Sequence, residues 1–212
     1  MNYDNESIVA LYNSSLREWI SIAERQKYSS DYLFPKIFDF LRADKYAPIL
    51  ELGSGVGQLA KIALKHGYKV LGSDYADAFV AHMKNEGIEC RKIDALTVGN
   101  EEYKWQAIFT QGLSVLITKD MATVELAYRS IYKALQAGGR LVFLFPRGDK
   151  SKYSRANEHR PVYLNVGFRE IKTFRQQAFP AALYKFKIVH FFESLVGSFI
   201  GVRNVIVLEK PS

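Results

Sequence analysis

The spacing of apolar residues changes in character along this chain of 212 residues. Before residue 45 the apolar positions recur three or four residues apart, which predicts amphipathic helices. A first helix is predicted by the spacing of Ile8, Leu11, Tyr12, Leu16, Trp19, Ile20 and Ile22. A second helix is predicted over 30–41. We therefore interpret residues 1–45 as a helical extension that precedes the rest of the fold.

After residue 46, short apolar runs alternate with amphipathic segments that close on glycine. The predicted strands are 47–53, 68–74, 88–94, 105–112 and 140–146. The predicted helices are 57–67, 77–87 and 121–135, the last followed by a turn at 136–139. Strands that alternate with helices over short connections indicate a mostly parallel sheet covered on both faces. The pattern predicts a doubly wound α/β fold.

From residue 147 onward this alternation ends. A polar segment leads into a short predicted helix, and further strands are predicted over 168–179 and 203–210, separated by an aromatic-rich segment. This pair suits an antiparallel finish and brings the predicted sheet to seven strands. We predict a single domain, with an extension over 1–45, a core over 46–145 and a C-terminal part over 146–212.

Three glycines, Gly53, Gly55 and Gly57, follow the first predicted strand at the edge where open α/β sheets bind ligands. A dinucleotide fingerprint would need glycine where Gln58 stands, so the spacing differs by one residue. Glu51 lies two residues before the first glycine, where a carboxylate would repel a pyrophosphate and suit a cationic ligand. The turn therefore favours a positively charged, nucleoside-like ligand, and its alternative interpretation is a tight turn without a ligand.

The segment 51–57, Glu-Leu-Gly-Ser-Gly-Val-Gly, resembles the first motif of the class I S-adenosylmethionine-dependent methyltransferases. The resemblance extends over about 46–145 and implies a Rossmann-like methyltransferase fold with S-adenosylmethionine as cofactor. It also implies that Asp74 accepts the ribose hydroxyls and that Asp94, beside Ala95, binds the adenine amino group. Taken singly, both acids are equally typical of helix caps or turns. The cofactor-binding residues implied are Glu51, Gly53, Ser54, Gly55, Gly57, Asp74, Tyr75, Asp94, Ala95, Gln111, Gly112 and Leu113.

The implied reaction is displacement of the cofactor's methyl group by a nucleophile of the substrate, with no metal required. An oxygen nucleophile benefits from a general base, and His159 in the polar segment after the fifth strand is the predicted one. Tyr28 and Tyr32 are predicted lid residues, with packing against the sheet as the alternative. Substrate contacts are predicted at Arg147, Tyr184 and His190 in the C-terminal part.

The substrate is less defined by the sequence. The fourth strand ends in Thr-Gln-Gly-Leu instead of an Asn-Pro-Pro-Tyr motif, which by resemblance favours a small-molecule acceptor. We expect O-methylation of a metabolite, sugar or lipid-linked glycan precursor. The net charge of +7 would suit an anionic acceptor, or serves solubility alone. The alternatives are an RNA methyltransferase, although no RNA-binding module is evident, and a non-catalytic protein that binds the cofactor or a partner.

The amino-acid composition limits the class of protein and the compartment that we expect for it. Apolar residues make up 48% and charged residues 24% of the chain, as in ordinary globular proteins. Cys90 is the single cysteine, which excludes an intramolecular disulfide and a cysteine-based zinc site and fits the reducing cytoplasm. The N-terminus lacks the pattern of an export signal. The apolar segment 179–202 is interrupted by Lys185, Lys187 and other polar residues, so no transmembrane helix is predicted.

Overall fold

The computed structural model describes residues 5–145 and 154–212, which contain a seven-stranded sheet of order β3-β2-β1-β4-β5-β7-β6. β7 runs antiparallel to both of its neighbours, and the other pairings are parallel. The predicted doubly wound α/β sheet with an antiparallel final strand is therefore confirmed. The strands are β1 (Pro48–Leu52), β2 (Lys69–Asp74), β3 (Cys90–Lys92), β4 (Trp105–Gln111), β5 (Leu135–Leu144), β6 (Arg169–Gln176) and β7 (Arg203–Glu209).

Helices cover both faces of this sheet. The α-helices are α1 (Asn5–Ser14), α2 (Leu16–Leu33), α3 (Pro35–Phe38), α4 (Gln58–Lys65), α5 (Asp77–Asn85), α6 (Ser114–Ile117), α7 (Met121–Ala134), α8 (His159–Val166) and α9 (Lys187–Ile200). Short 3₁₀ helices span Val98–Asn100 and Ala181–Lys185.

Two apolar clusters form the core, one on each face of the sheet. The first joins α7 and α8 to the central strands and includes Tyr128, Phe143 and Tyr163. The second joins α3, α4 and α5 to the opposite face and includes Phe34 and Phe109. Central strands buried on both faces explain the continuous apolar runs from which they are predicted.

Some predicted boundaries differ from the structure. The helix predicted over 30–41 is replaced by the end of α2 and the separate helix α3, because Pro35 cannot continue the preceding helix and instead begins the next one. The turn predicted at 136–139 lies inside β5. There, Leu135 pairs with Trp105, and regular pairing resumes only at Arg140. The intervening residues bulge outward, with Gly138 at φ +75°.

The aromatic-rich segment between β6 and β7 forms a 3₁₀ turn and α9. No helix within residues 5–145 and 154–212 combines the length and the apolar character that crossing a bilayer requires.

Candidate functional site

The glycine turn between β1 and α4 has backbone geometry that side chains rarely adopt. Gly53, Gly55 and Gly57 have φ values of +67°, +53° and +72°. A Cβ on Gly53 would lie 2.6 Å from Leu113 Cδ1, and one on Gly57 would lie 2.6 Å from Ile88 Cδ1. A Cβ on Gly55 would meet nothing within 4 Å, because this residue faces an open cleft. The turn therefore leaves space for a ligand at its middle glycine and is packed against protein at the other two.

Hydrogen bonds with the end of β2 fix the position of this turn. The Ser54 backbone N–H donates to the Ser73 carbonyl at 2.8 Å, and the Ser73 N–H donates to Ser54 Oγ at 3.0 Å. The Ser73 hydroxyl donates to the Glu51 carbonyl at 2.7 Å. The two serines thus hold the turn and the ends of both strands as one unit.

Glu51 is a buried acid at the base of the turn. Its side chain lines the cleft, and its Oε2 is buried without a hydrogen-bond partner among the described residues. Burial raises the pKa of this carboxyl to about 8, opposed by the hydrogen bond with Ser54, and the nearby Asp74 adds to the increase. An unpartnered buried carboxyl oxygen of this kind is suited to a ligand that brings a cationic N–H donor.

Asp74 connects the glycine turn to the end of β2. One carboxylate oxygen accepts the Gly55 N–H at 2.9 Å, and the other accepts the Ala76 N–H at 2.9 Å. Burial raises the pKa of Asp74, while these backbone donors act in the opposite direction. A carboxylate has about four acceptor positions, so Asp74 can accept further hydrogen bonds from a ligand in the cleft.

Asp94 follows β3 and begins a turn, in which its Oδ1 accepts the Leu96 N–H at 2.9 Å. Within the described part of the chain, no donor reaches its Oδ2. Its side chain lines the same cleft as Glu51 and Asp74. The three strand-end acids, separated by up to 43 positions in sequence, are thus brought to one site.

The cleft at the carboxyl edge of the sheet has a volume of about 840 Å³. Of the predicted cofactor-binding residues, only Gly57 does not line it, because that glycine packs beneath the turn. The predicted residues that do line it are Glu51, Gly53, Ser54, Gly55, Asp74, Tyr75, Asp94, Ala95, Gln111, Gly112 and Leu113.

The N-terminal helices close one side of this cleft. Tyr12 of α1 and Trp19 of α2 line it, with their ring centroids 6.0 Å apart, and Tyr12 also lies 5.9 Å from Phe79 of α5. Ala23 and Gln26, one and two helical turns along α2, line the cleft as well. The sequence prediction missed these residues, although Tyr12 and Trp19 stand seven positions apart in the same apolar stripe.

Gln58 holds α2 against the glycine turn. Its Nε2 donates to the Ala23 carbonyl at 2.8 Å, and its Oε1 accepts the Ser30 hydroxyl at 3.2 Å. The residue that breaks the dinucleotide fingerprint therefore bonds to the helix that covers the site.

The predicted lid and substrate residues lie away from the described cleft. Tyr28 is half exposed on α2 and does not line it. Tyr32 stacks on His190 at 3.8 Å, with Tyr184 5.8 Å away, and its hydroxyl donates to the His190 carbonyl. These three residues attach α2 to the C-terminal part of the chain. Arg147, the remaining predicted substrate residue, lies outside the described residues.

The prediction of His159 as a base at the cleft requires correction. The His159 side chain is fully buried in the core and does not line the cleft. Its Nδ1 lies 2.9 Å from the Tyr128 hydroxyl and its Nε2 2.9 Å from Ser154 Oγ. Burial lowers the His159 pKa to about 4, with a smaller opposing effect from Glu158. Both ring nitrogens are engaged within the protein, which is the arrangement of a structural histidine.

The charges that line the cleft are mainly acidic. Glu51, Asp74, Asp94 and Asp120 line it together with a single basic residue, Lys119, among the described residues. Asp120 is itself engaged, because it caps α7 through the Ala122 N–H and accepts the Thr123 hydroxyl. No histidine is among the described lining residues, and none of their His, Cys, Asp and Glu side chains form a group placed to hold a metal ion.

Comparisons with known proteins agree with this geometry. Residues 50–143, which run from β1 almost to the end of β5, match a family model described as a methyltransferase domain. This segment contains the glycine turn, all three strand-end acids and the predicted cofactor-binding residues at the end of β4, Gln111, Gly112 and Leu113. No curated protein sequence matches the chain.

Solved structures of low sequence identity share the fold. A TehB-like S-adenosylmethionine-dependent methyltransferase from Corynebacterium glutamicum is 20% identical, with a TM-score of 0.66 over 96% of this chain and 99% of that chain. A possible histamine N-methyltransferase from Thermotoga maritima is 15% identical, with a TM-score of 0.68 over 95% and 99%. The N-methyltransferase NodS from Bradyrhizobium japonicum, solved with S-adenosylhomocysteine, is 14% identical, with a TM-score of 0.62 over 84% and 86%.

Proposed function

We propose that this chain is a class I methyltransferase that uses S-adenosylmethionine as its cofactor and methylates a small-molecule acceptor. The observation that carries the proposal is the convergence of Glu51, Asp74 and Asp94 on the cleft beside the glycine turn.

The residues of the cleft fit this cofactor. The unpartnered Oε2 of Glu51 is suited to the cofactor's ammonium group, directly or through water, and a raised pKa falls when a cation binds beside the carboxyl. Asp74 would accept the ribose hydroxyls, and Asp94 with Ala95 would bind the adenine amino group. The open space at Gly55 allows the ligand to approach the backbone. Tyr75, Gln111, Gly112 and Leu113 complete the proposed binding surface, while Gly57 supports the turn from below.

When bound, S-adenosylmethionine supplies a methyl group already activated by its sulfonium. The residues of this chain then need to orient the acceptor against that methyl group and to keep water away from it. Trp19, Tyr12 and Leu113 give the cleft apolar walls on the side of α1, α2 and the β4 end. The proposal therefore assigns these residues to positioning and water exclusion.

The charges of the cleft bear on the acceptor. Asp74, Asp94 and Asp120 outnumber the one lysine of the described cleft even without Glu51, whose raised pKa keeps it largely protonated at neutral pH, so a neutral or cationic acceptor is electrostatically favoured over an anionic one. The same charges disfavour RNA, whose backbone binds to basic surfaces. Among neutral acceptors, we propose that the methyl group is transferred to a hydroxyl oxygen of a metabolite, sugar or lipid-linked glycan precursor. The cytoplasm is the proposed location, on the argument from the single cysteine.

A specific observation favours a second candidate, an amine acceptor. The described lining contains no histidine that could deprotonate a hydroxyl. A neutral amine carries its own lone pair and needs no base at the moment of attack. Its protonated form would also be attracted to the acidic cleft before it loses a proton to solvent.

Calorimetric titration of the protein with S-adenosylmethionine and S-adenosylhomocysteine tests the cofactor site. We expect Asp74→Asn to weaken both ligands by about 100-fold, because a charged hydrogen-bond acceptor contributes roughly 2–3 kcal/mol. Asp77→Asn is the matched control, since Asp77 is exposed, pairs with Lys92 and does not line the cleft. NADH should not bind. If thermal unfolding shows that both variants are folded and they bind the ligands with equal affinity, the assignment of Asp74 is refuted.

Incubation with methyl-deuterated S-adenosylmethionine and pools of hydroxylated or amine metabolites tests the acceptor. Mass spectrometry would identify a product that carries the label and thereby the acceptor atom. Bulk RNA is included as a third pool, and labelled RNA would contradict the small-molecule proposal. Cofactor binding without labelled product in any pool would favour the non-catalytic alternative.

A further inference from the structure

Helix α9 presents its most apolar face to solvent. Five large apolar residues recur along one side at helical spacing, and their exposed fractions are 61%, 58%, 47%, 54% and 75%. In chain order they are Ile188, Phe191, Phe192, Leu195 and Phe199, which we call the α9 apolar face. Isolated exposed apolar residues are ordinary in proteins, but a continuous stripe of this size marks an interaction surface.

The buried side of α9 contains a polar anchor, Glu193, that fixes the helix in this orientation. Glu193 is 4% exposed, and its carboxylate accepts the backbone N–H groups of Gln177 and Ala178 at 2.7 and 2.8 Å. The Tyr184 hydroxyl donates to the same carboxylate at 2.6 Å. Gly197 packs one turn further along, where a Cβ would collide with Glu193. Turning the apolar face inward would remove three hydrogen bonds from a buried charge, so the observed orientation is strongly determined.

The charges around the α9 apolar face are basic. Between residues 175 and 203 the sequence contains Arg175, Lys185, Lys187 and Arg203 but only one acid, the buried Glu193. Lys185 and Lys187 are exposed at the start of the helix, and neither forms an ion pair with any described residue. Arg175 donates to the Phe199 carbonyl at the opposite end. Cationic groups therefore flank both ends of the apolar stripe.

We propose that the α9 apolar face docks on the surface of an anionic lipid membrane. A helix with exposed aromatic and aliphatic residues and flanking lysines can lie in the plane of the interface, with its apolar side below the headgroups. The lysines then contact anionic headgroups while their methylene stems remain along the apolar layer. The chemistry that recognises this surface is thus apolar contact together with negative charge.

The same features distinguish a membrane from a second copy of the chain. Protein interfaces combine an apolar centre with a rim of complementary polar groups. Between residues 175 and 203 the exposed charges are all basic, so a second copy that paired through α9 would bring the same positive charge against them. An anionic bilayer complements both the apolar stripe and its basic ends. The inference is independent of the acceptor and of catalysis.

Flotation of the full-length protein with lipid vesicles tests the proposal. We expect binding to vesicles of equal parts phosphatidylcholine and phosphatidylserine, and much weaker binding to phosphatidylcholine alone. The double variant Phe191→Ser/Phe199→Ser should lose about 100-fold in partition, because two aromatic side chains no longer enter the lipid. Lys185→Gln/Lys187→Gln should retain weak binding and lose the preference for phosphatidylserine.

Leu126→Ser is the matched control, because Leu126 is 58% exposed on α7 and belongs to a different surface. It should bind vesicles as the unaltered protein does. All variants are compared by thermal unfolding, and since each changed side chain is exposed, they should remain folded. Absence of the unaltered protein from both kinds of vesicle would overturn the proposal. Sedimentation that shows a dimer abolished by the phenylalanine substitutions, without vesicle binding, would assign the face to a copy-to-copy contact instead.

Discussion

Within the proposed cofactor site, Glu51 is the residue that lowers the stability of the ligand-free protein when it ionises. Its pKa in the folded protein is about 8, against an ordinary value of 4.5, because burial disfavours the charged carboxylate. Between these two values the folded state binds more protons than the unfolded state, so stability is lost as the pH rises through this interval. The stability is fully present below the unfolded pKa and is lost by the time the pH passes 8.

We therefore predict that Glu51→Gln reduces this pH dependence in the ligand-free protein. From pH 5 to pH 8 the unaltered protein should lose on the order of 3 kcal/mol of unfolding free energy through this one group. The glutamine variant should be more stable than the unaltered protein at pH 8 and little different at pH 5. Urea unfolding at the two pH values measures the effect.

Glu89→Gln serves as the control for Glu51→Gln, because Glu89 is exposed near β3 and outside the cleft. It should follow the unaltered protein at both pH values. If Glu51→Gln also follows the unaltered protein, the carboxyl ionises without penalty and the buried, unpartnered state of Oε2 is incorrect. The stabilised variant should bind S-adenosylmethionine more weakly, since it lacks the charge proposed to receive the ammonium group.

At the scale of single elements, the attachment of α2 to the glycine turn depends on Gln58. Its two hydrogen bonds, to the Ala23 carbonyl and from the Ser30 hydroxyl, are the described side-chain bonds that join α2 to α4. We predict that Gln58→Ala loosens α2, weakens S-adenosylmethionine binding by about tenfold and speeds proteolytic cleavage within α1 and α2. Titration calorimetry and limited proteolysis provide the two measurements.

Gln136→Ala is the matched control for Gln58→Ala. The Gln136 amide also donates to a backbone carbonyl, that of Lys104, but at an exposed position away from the cleft. Its loss should change neither affinity nor proteolysis of the N-terminal helices. A Gln58→Ala protein that binds the cofactor normally would show that α2 does not need this attachment to cover the site.

The elements also differ in how well the sequence predicts them. The unit β1, glycine turn and α4 is specified by neighbouring residues, so its pattern shows both its structure and its place at the edge of the sheet. The faces of α1 and α2 that cover the cleft are different. Tyr12 of α1 and Trp19 of α2 reach the cleft while Tyr28 and Tyr32 of α2 do not, and this depends on how each helix is rotated against the finished sheet. Spacing along one helix cannot give that rotation.

His159 shows the same limit for a single side chain. It follows a polar segment in sequence, yet it becomes a core residue because Tyr128 and Ser154 supply partners for both ring nitrogens. Tyr128 stands 31 positions earlier, on α7, and nothing local to His159 indicates that contact. The strand-end acids could be placed from the sequence, because the carboxyl ends of parallel strands lie at one edge of the sheet. No distant contact had to be known.

At the scale of the whole molecule, one buried ion-pair cluster joins distant parts of the chain. Glu209 of β7 accepts hydrogen bonds from Nε–H and Nη2–H of Arg140 in β5, at 3.1 and 2.9 Å, and also from the Arg169 guanidinium of β6. Arg140 donates in addition to the Phe40 carbonyl, 100 positions away. The Arg140 and Glu209 side chains are only 6% and 10% exposed. The cluster therefore secures the antiparallel strands and the segment after α3 at the sheet edge opposite the cleft.

We predict that Glu209→Gln destabilises the entire fold without changing the cofactor site. Removing one partner leaves the Arg140 charge buried and uncompensated, at a cost of roughly 3 kcal/mol. For a chain of this length that cost corresponds to a fall in Tm of about 9 °C. Glu125→Gln, which breaks the exposed pair with Arg129 on α7, should cost no more than about 0.5 kcal/mol.

Thermal unfolding of both variants, together with S-adenosylmethionine titration well below their Tm values, separates stability from binding. Arg140 and Glu209 do not line the cleft. Arg140 begins the regular part of β5 and pairs with Glu209 at the end of the antiparallel β7, whereas the cleft lies beyond the carboxyl ends of the parallel strands. Affinity for the cofactor should therefore remain within about twofold of the unaltered protein, since substitutions with no shared contacts act independently. Weaker binding in folded Glu209→Gln would instead mean that the antiparallel strands help to shape the site. A stability loss as small as that of Glu125→Gln would mean that water reaches Arg140 and hydrates its charged guanidinium.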